Sequence, residues 1–371
     1  MSLRLHVVFH GSGPAFIRNP GCQCVRCLLP MPTPDAAPQE YADLLAWVHQ
    51  ANTSASLIIE DDGVAIDHTL VDCGLGVVRN LASLPTPAQG QPINRILLTH
   101  GHLDHVIGLD NLLYSLRTGR KSGDFDPAKQ PFPLPVYTTL KSWRHGVGYD
   151  SESPITSGFL RHVETLMEHI DITDAALSLA AIELHPALIA TPIPTEHAPG
   201  SVNYLFEFWP DGQGEGRPIR IALCWDLMAY PAERESDLWQ GMNLDPFTGP
   251  LYDLMGDLDL LAIEMTTWRP HRTKHIGFTG GMSKDGIDTG YGVRALLEAW
   301  QPRQTRIVHY SGNEDRHQPD DTWTIGDALT TNVDPALGPV SDAMLRTALH
   351  DHLPVDFAID IAYPGEILVC E

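Results

Sequence analysis

Four side chains that bind transition metals lie within six residues of this chain. They are His100, His102, Asp104 and His105, and they directly follow the apolar run ILL and a threonine. Imidazole and carboxylate groups are ligands for zinc, iron and manganese. A sharp loop after a buried strand can turn the first two histidines toward one ion and the other two residues toward a neighbouring ion. The spacing therefore predicts a two-metal site, in preference to a coincidental cluster of histidines on an exposed loop.

The elements around this segment predict sheets enclosed by helices. Continuous or alternating apolar runs predict strands at residues 5–9, 64–71, 93–98 and 219–224, and a hairpin at the Asp61-Asp62-Gly63 turn. Helical spacing is expected from residue 104 to 116, within 151–179, and over 285–300. Because strands and helices interleave in both halves of the chain, we expect an α/β fold with sheets between helices.

Composition excludes several classes of protein. The 371 residues carry 24 Lys and Arg against 47 Asp and Glu, which gives a net charge of −23. Nucleic acid is an unfavourable partner for such a surface, because duplex binding depends on clustered basic side chains. No apolar run is long enough to cross a membrane, and the N-terminus lacks the pattern of a signal peptide. We therefore expect a cytoplasmic protein that does not enter membranes.

Three of the six cysteines form a separate cluster, Cys22-Gln-Cys24-Val-Arg-Cys27. A secreted disulfide scaffold would be smaller and richer in cysteine. Three thiolates at this spacing are typical of a structural zinc that needs a fourth ligand. The alternative is three reduced, buried cysteines with no metal.

The metal-loop motif H-x-H-x-D-H resembles that of the metallo-β-lactamase superfamily, and the resemblance extends over nearly the whole chain. Asp72, at the end of TLVD, is similar to the carboxylate that orients the metal loop in that family. Further positions are similar to the family's remaining ligands, each after a predicted strand: His197 in TEHAPGS, Asp226 after ALCW, and His309 after TRIV. Each match is weak alone, but together and in this order they are specific.

The resemblance implies the fold, the ligand sets and the chemistry. The fold would be an αββα sandwich with two mixed β-sheets between helices. One ion would bind His100, His102 and His197, and the second would bind Asp104, His105 and His309, with Asp226 between the ions. This arrangement leaves room for a bridging water, whose pKa two cations lower toward neutrality. Asp104 would thus be both a ligand and a catalytic residue, with two divalent ions of zinc, manganese or iron as cofactors.

The cysteine cluster narrows the resemblance to one branch. A glycine turn followed by C-x-C-x-x-C, ahead of the metal loop, is similar to the cyclic-phosphate phosphodiesterase and to the pyrroloquinoline-quinone biosynthesis protein B. The intact metal loop favours the phosphodiesterase. Its fourth zinc ligand would fall at Gly312 here, so Asp315 or His317 would have to replace it. This departure, and the extra length of the chain, leave the substrate open.

His275, in RTKHIG, is the candidate for a general acid. It follows the acidic strand end Ile263-Glu264, where related phosphodiesterases carry a catalytic histidine, and it could protonate the leaving oxygen. Arg272 and Lys274 beside it could attract a phosphate or simply offset local acidity. The alternative is an exposed loop histidine without a catalytic role.

These observations predict one metallo-β-lactamase-like domain over residues 1–371, with a cysteine-rich zinc loop at about 20–38 and a helical insertion at about 119–180. The expected function is hydrolysis of a small phosphate ester, cyclic or linear, with a small molecule as the partner and homodimer formation left open. Hydrolysis of a lactone, thioester or β-lactam at the same site is the first alternative. The others are iron-dependent redox chemistry and a metal-stabilised accessory protein without enzymatic activity.

Overall fold

The computed structural model describes most of the chain. The described residues are 3–13, 49–88, 91–123, 130–148, 151–152, 160–161, 163–232, 238–266, 268, 275–280, 291–310, 342–354 and 357–370. The three clustered cysteines, Arg272, Lys274, Asp315 and His317 lie outside these residues, so the predicted zinc loop and its fourth ligand stay predictions.

The first half of the chain supplies most of one seven-stranded mixed sheet. Its order is β14-β1-β2-β3-β4-β5-β6, and the strands from β3 to β6 are parallel whereas the others pair antiparallel. The bounds of its strands are β1 Arg4–Gly11, β2 Ser54–Asp61, β3 Val64–Val71, β4 Arg95–Leu97, β5 Leu134–Thr138, β6 Met167–Asp171 and β14 Ile367–Cys370.

The second sheet repeats this pattern. Its order is β13-β12-β11-β10-β9-β8-β7, with β10 to β13 parallel and β7 to β10 antiparallel. Its strands are β7 Ile182–His185, β8 Leu188–Pro194, β9 Val202–Phe208, β10 Ile219–Cys224, β11 Leu260–Glu264, β12 Thr305–Val308 and β13 Ile359–Ile361.

Helices cover the outer face of each sheet. On the first sheet they are α1 Val77–Ser83, α2 Leu103–Val106 and α3 Leu109–Ser122, followed by the short α4 Leu140–Ser142. Helix α5 Thr173–Ser178 instead contacts β8 and places Ala176 in the core between the sheets. On the second sheet they are α6 Gly249–Leu254, α7 Val293–Trp300 and α8 Asp342–His352. Within the described residues, no helix is both long enough and apolar enough to cross a membrane.

The period-two alternation of strand side chains builds the layers. In β3, Val71 points into the core between the two sheets, while Leu70 packs under the helices outside. The inner core combines residues of both sheets, such as Leu97 with Tyr204 and Phe206. Burial of these faces drives the packing of two helix-covered sheets against each other. The predicted αββα sandwich of two mixed sheets is therefore confirmed.

The structure contains one predicted turn and corrects one predicted helix. The Asp62-Gly63 turn joins β2 and β3 with positive φ at both residues, 48° and 79°, as a two-residue hairpin turn requires. The helical interpretation of residues 151–179 is wrong for Met167–Asp171, which form the edge strand β6. Pairing with β5 overrides the local helical spacing there, and Ile170 lies opposite Tyr137 in the ladder. Within its described residues, the insertion predicted at about 119–180 therefore contains strands as well as helices.

Candidate metal centre

The candidate site lies at the carboxyl ends of the parallel strands of both sheets. Asp72 follows β3 and His100 follows β4, whereas Asp226 follows β10 and His309 follows β12. Crevices at this edge of parallel strands are where α/β folds bind ligands. His197 reaches the same edge from the loop between β8 and β9. The edge thus collects every strand-end residue that the sequence singled out as a ligand.

Two groups of potential ligands form there. The first contains His100, His102, His197 and Asp226, and the second contains Asp104, His105, Asp226 and His309. Within each group all ligand atoms lie within 4.8 Å of one another. The seven predicted residues are therefore brought together, and in the two sets that were predicted, with Asp226 common to both.

The carboxylate of Asp226 occupies the centre of this arrangement. Its Oδ2 lies 3.2 Å from Nε2 of His105 and 3.3 Å from Nε2 of His197, while its Oδ1 lies 3.3 Å from Nε2 of His309. The nearby imidazoles of His105 and His309 outweigh the effect of burial and hold the pKa of this carboxyl well below its usual range. An ionised carboxylate reached from both sides can bridge two cations.

Several inward-facing atoms are buried without a hydrogen-bond partner among the described residues. They are Nε2 of His100, of His105 and of His309, and Oδ1 of Asp226. Burying such atoms unpaired is costly, so each calls for a partner that the protein itself does not provide. Burial also lowers the pKa of His100 well below its usual value, which keeps the ring neutral as metal ligation requires. The donor set and these orphaned atoms both fit divalent transition metals.

Two relays of carboxylate, threonine and histidine fix the ligands from behind. Thr99 donates its hydroxyl hydrogen to Oδ2 of Asp72 at 2.6 Å, so its oxygen can accept from Nδ1 of His100 at 3.1 Å. This relay places the hydrogen on Nδ1 of His100 and leaves its Nε2 available to an ion.

The second relay lies in the other sheet. Thr266 donates to Oε2 of Glu264 at 3.3 Å and can accept from Nδ1 of His309 at 2.9 Å. The sequence alone did not reveal either threonine. The sequence nevertheless contained a signal for each threonine. Thr99 lies two residues after the end of β4 and directly before His100, and Thr266 lies two residues after Glu264, the last residue of β11.

Asp72 orients the metal loop, as the resemblance implied. Its buried carboxylate accepts from the backbone N–H of Thr99 at 2.8 Å and from Nδ1 of His105 at 2.7 Å. It also accepts from Nε1 of Trp225 at 2.7 Å. Hydrogen bonds to the ionised form of a carboxylate are the strong kind, and they hold both the loop and the ring of His105 in place.

Three residues of the centre adopt left-handed backbone conformations. The φ angle is 57° for Asp72, 57° for Asp226 and 60° for His309. Aspartate and histidine tolerate this region better than most residues, but it still costs energy outside glycine. The chain is thus turned sharply at the end of three strands, which aims each side chain into the crevice.

His275 lies beside the centre and is held by a buried carboxylate. Its Nδ1 donates to Oε2 of Glu264 at 2.9 Å. Its ring lies 4.8 Å from that of His197 and 5.1 Å from that of His309. Glu264 is fully buried and also accepts from the backbone N–H of Leu227, next to Asp226. The predicted general acid therefore faces the candidate site. The sequence indicated Glu264 only as the end of a strand, and its contact with His275 was not predicted.

Comparison with known proteins agrees with this geometry. Residues 50–120, which contain Asp72 and the whole metal loop, match the family model of the Metallo-beta-lactamase superfamily. This part of the chain is therefore similar to that superfamily. The fold of the chain is the one that the resemblance implied.

Curated relatives match only part of the chain. A Ribonuclease Z of Bradyrhizobium sp. (strain ORS 278) is 36% identical over 99 residues, which cover 27% of this chain and 30% of that protein. The Anti-Pycsar protein Apyc1 of Paenibacillus xerothermodurans is 30% identical over 138 residues, which cover 36% of this chain and 48% of that protein. The chain thus spans less than half the length of these two relatives.

Solved structures match this chain over nearly its full length. A diphosphatase from the PhnP family has a TM-score of 0.52 at 18% identity, and covers 99% of this chain and 98% of its own. The zinc-bound PqqB from Methylobacterium extorquens has a TM-score of 0.53 at 16% identity, and covers 98% and 99%. At these identities the likeness establishes the fold alone.

Proposed function

We propose that this protein is a metal-dependent phosphodiesterase that hydrolyses a small phosphate ester, cyclic or linear. One divalent transition-metal ion would be held by His100, His102 and His197, and a second by Asp104, His105 and His309. Asp226 would bridge them. Zinc, manganese and iron all suit these ligands. The second part of the proposal is a structural zinc at Cys22, Cys24 and Cys27.

The observation that carries the proposal is the Glu264–His275 pair beside the ligand cluster. Nδ1 of His275 is engaged by the buried carboxylate of Glu264 at 2.9 Å, which fixes the ring beside the ligand cluster. The ring is only partly buried, with 14% of its side chain exposed, so a bound molecule can reach it. An imidazole held beside a metal cluster in this way suits the protonation of a leaving oxygen.

Each group of the chain has a separate task in this mechanism. Bound divalent cations would neutralise charge on the phosphoryl oxygens and lower the pKa of a water molecule. Asp72, Thr99 and Thr266 hold the ligand rings in their orientations, and Asp226 brings the two halves of the centre together. In its imidazolium form, with Nδ1–H donating to Glu264, His275 gives the proton on Nε2 to the departing alkoxide and becomes the neutral ring. Glu264 keeps the ring facing the cluster.

His275 could instead serve as a further ligand. Together with Asp226, Glu264 and His309 it forms a third group whose ligand atoms lie within 4.8 Å of one another. The hydrogen bond to Glu264 is compatible with both roles, because a ring held at Nδ1 can serve either as a metal ligand or as an acid. Metal content distinguishes the two roles, since removal of a ligand lowers it whereas removal of an acid does not.

Two observations favour phosphodiesters over carboxylic esters. The relative with 36% identity is a ribonuclease, and ribonucleases cleave phosphodiester bonds. A leaving-group acid is also more important for an alkoxide leaving from phosphorus than for the opening of a strained lactam or lactone. The net charge of −23 favours a small substrate over a long nucleic acid.

A substrate panel with defined metals tests the proposal. Protein purified without chelator is loaded with manganese, zinc or iron, its metal content is measured, and hydrolysis is followed for a linear phosphodiester, a 2′,3′-cyclic nucleotide, an RNA oligonucleotide, a lactone and a thioester. We expect the small phosphodiesters to be cleaved, and expect Asp104→Asn to abolish cleavage. Hydrolysis of the lactone or the thioester, without hydrolysis of any of the phosphodiesters, would overturn the proposal.

A further inference from the structure

His145 is an imidazole that touches the metal loop without belonging to any of the three ligand groups. Its ring lies 5.5 Å from the ring of His102, at an angle of 60°. It is partly buried and belongs to a π-helical turn, Trp143–Val147, directly after α4. Single π-helical turns occur frequently at functional sites.

The backbone of this turn is pressed against the metal loop. A Cβ atom placed on Gly146 would lie 1.8 Å from the carbonyl oxygen of Gly101, the residue between His100 and His102. A Cβ atom on Gly101 would lie 2.6 Å from the carbonyl oxygen of Ser142. Only glycine allows so close an approach, so the turn that carries His145 has a fixed position relative to His102.

His102 is oriented differently from three other histidines of the centre. His100, His105 and His309 direct Nε2 inward and engage Nδ1 with Thr99, Asp72 and Thr266. His102 instead directs Nδ1 inward, where it lies 3.0 Å from Nε2 of His197. Since the two nitrogens of an imidazole point in divergent directions, Nε2 of His102 points away from the cluster.

A metal-bound histidine needs a partner for its outer nitrogen. Such partners fix the tautomer and the ring orientation, and their loss typically weakens metal binding or activity by about 10–100-fold. Among the described residues, His145 is the ring outside the cluster that contacts His102. We propose that His145 is the positioning residue for His102 and thereby sets the affinity of the ion held by His100, His102 and His197. This inference rests on the ligand sets of the proposed function.

Three variants of one turn test the idea. His145→Phe keeps a ring of similar size but removes hydrogen bonding, and His145→Gln retains hydrogen bonding without an imidazole. Arg144→Gln is the matched control, because Arg144 is the exposed neighbour on the same turn. Cobalt(II) is titrated into metal-free protein and followed by visible absorption and by competition with a chelator. Urea unfolding of each metal-free variant verifies that the fold is retained.

We expect His145→Phe to weaken one of the two cobalt sites by about 10–100-fold and to leave the other unchanged. His145→Gln should recover most of that affinity, and Arg144→Gln should match the wild type. Unchanged affinity of both sites in His145→Phe would overturn the inference, and a raised KM alone would assign His145 to the substrate instead. A wild-type protein that binds fewer than two ions would overturn the proposed function itself, whereas two ions without phosphodiesterase activity would overturn only that activity.

Discussion

Trp225 donates a hydrogen bond from its indole Nε1 to Oδ2 of Asp72 at 2.7 Å, across 153 residues of sequence. Asp72 follows a strand of the first sheet and Trp225 follows a strand of the second, and both are fully buried. The bond therefore connects the two sheets directly beneath the candidate metal centre. Because Asp72 also holds His105, the position of one ligand depends on the contact between the sheets.

This contact predicts linked losses of stability and metal binding in Trp225→Phe. The substitution keeps an aromatic ring but leaves part of a buried carboxylate without its donor, which should cost about 1–3 kcal/mol in the free energy of unfolding. Urea unfolding measures that loss, and isothermal titration with zinc measures affinity. Trp300→Phe is the control, because Trp300 Nε1 bonds to the carbonyl of Pro246 at 2.8 Å, outside the ligand groups. Equal effects of the two variants on zinc affinity would contradict the prediction.

The bridging arrangement predicts that the two ions can be removed separately. Asp104→Asn should release the ion of the second group and leave His100, His102 and His197 able to retain the first. Elemental analysis after gel filtration should then find one ion fewer per chain than in the wild type. Asp174→Asn, at an exposed helix position, provides the control and should not change the metal content. Retention of the full metal content by Asp104→Asn would argue against its role as a ligand.

The Glu264–His275 pair predicts a dependence on the leaving group. His275→Ala should lower kcat by roughly 10²–10⁴-fold at unchanged metal content, the usual range for a general acid. The loss should shrink for p-nitrophenolate, which departs without protonation, and Glu264→Gln should give a smaller loss with the same trend. A higher KM at constant kcat would indicate phosphate binding instead. An equal loss for all leaving groups would exclude proton donation.

Two histidines away from the ligand groups predict how stability changes with pH. His10 and His68 share hydrogen bonds of 2.7 Å with Ser56, and burial lowers the pKa of His10 to about 3 and that of His68 to about 4. The unfolded chain, with a pKa near 6.5, binds protons first as the pH falls. Stability is therefore lost progressively from about pH 6.5 down to about pH 4 through His68 and down to about pH 3 through His10, and each histidine contributes a slope of at most about 1.4 kcal/mol per pH unit.

Urea unfolding at several pH values between 7.5 and 4.5 measures this slope. His68→Gln should flatten it, because the variant removes one of the two groups that gain a proton on unfolding. His350→Gln, at an exposed position of α8, should retain the slope of the wild type. If His68→Gln leaves the slope unaltered, the buried histidines are not its source.

The cysteine cluster predicts a third metal ion with a structural role. Replacing Cys22 and Cys24 by serine should remove one zinc per chain and lower the thermal midpoint, since closed thiolate sites contribute folding free energy. The two ions proposed for the histidine and aspartate ligand groups should be retained. Cys370→Ser, a change at a partly buried cysteine of β14, is the control. A disulfide within the cluster, detected by mass spectrometry, would refute the zinc site.

Local patterns in the sequence were enough to predict most strands, and to predict which candidate ligands follow them and in what order. His100 follows an apolar strand, and Asp226 and His309 follow two others, so their places at strand ends could be predicted from period and burial alone. The Asp62-Gly63 turn could also be predicted from its own short segment. Strand β6 was not predictable in this way, because its helical spacing was overridden by pairing with β5, a contact that depends on the rest of the sheet.

The convergence of the site was decided by the tertiary structure. Asp226 lies between His105 and His309 only because the two sheets pack through a shared core, and no local pattern encodes that distance. The relay from Glu264 through Thr266 and the contact of His145 with His102 likewise join residues from separate elements. Residue type and spacing are properties of short segments, whereas hydrogen-bond partners depend on long-range packing. For this protein the sequence specified which side chains could bind metal, and the fold decided which of them lie together in one ligand group and what holds them there.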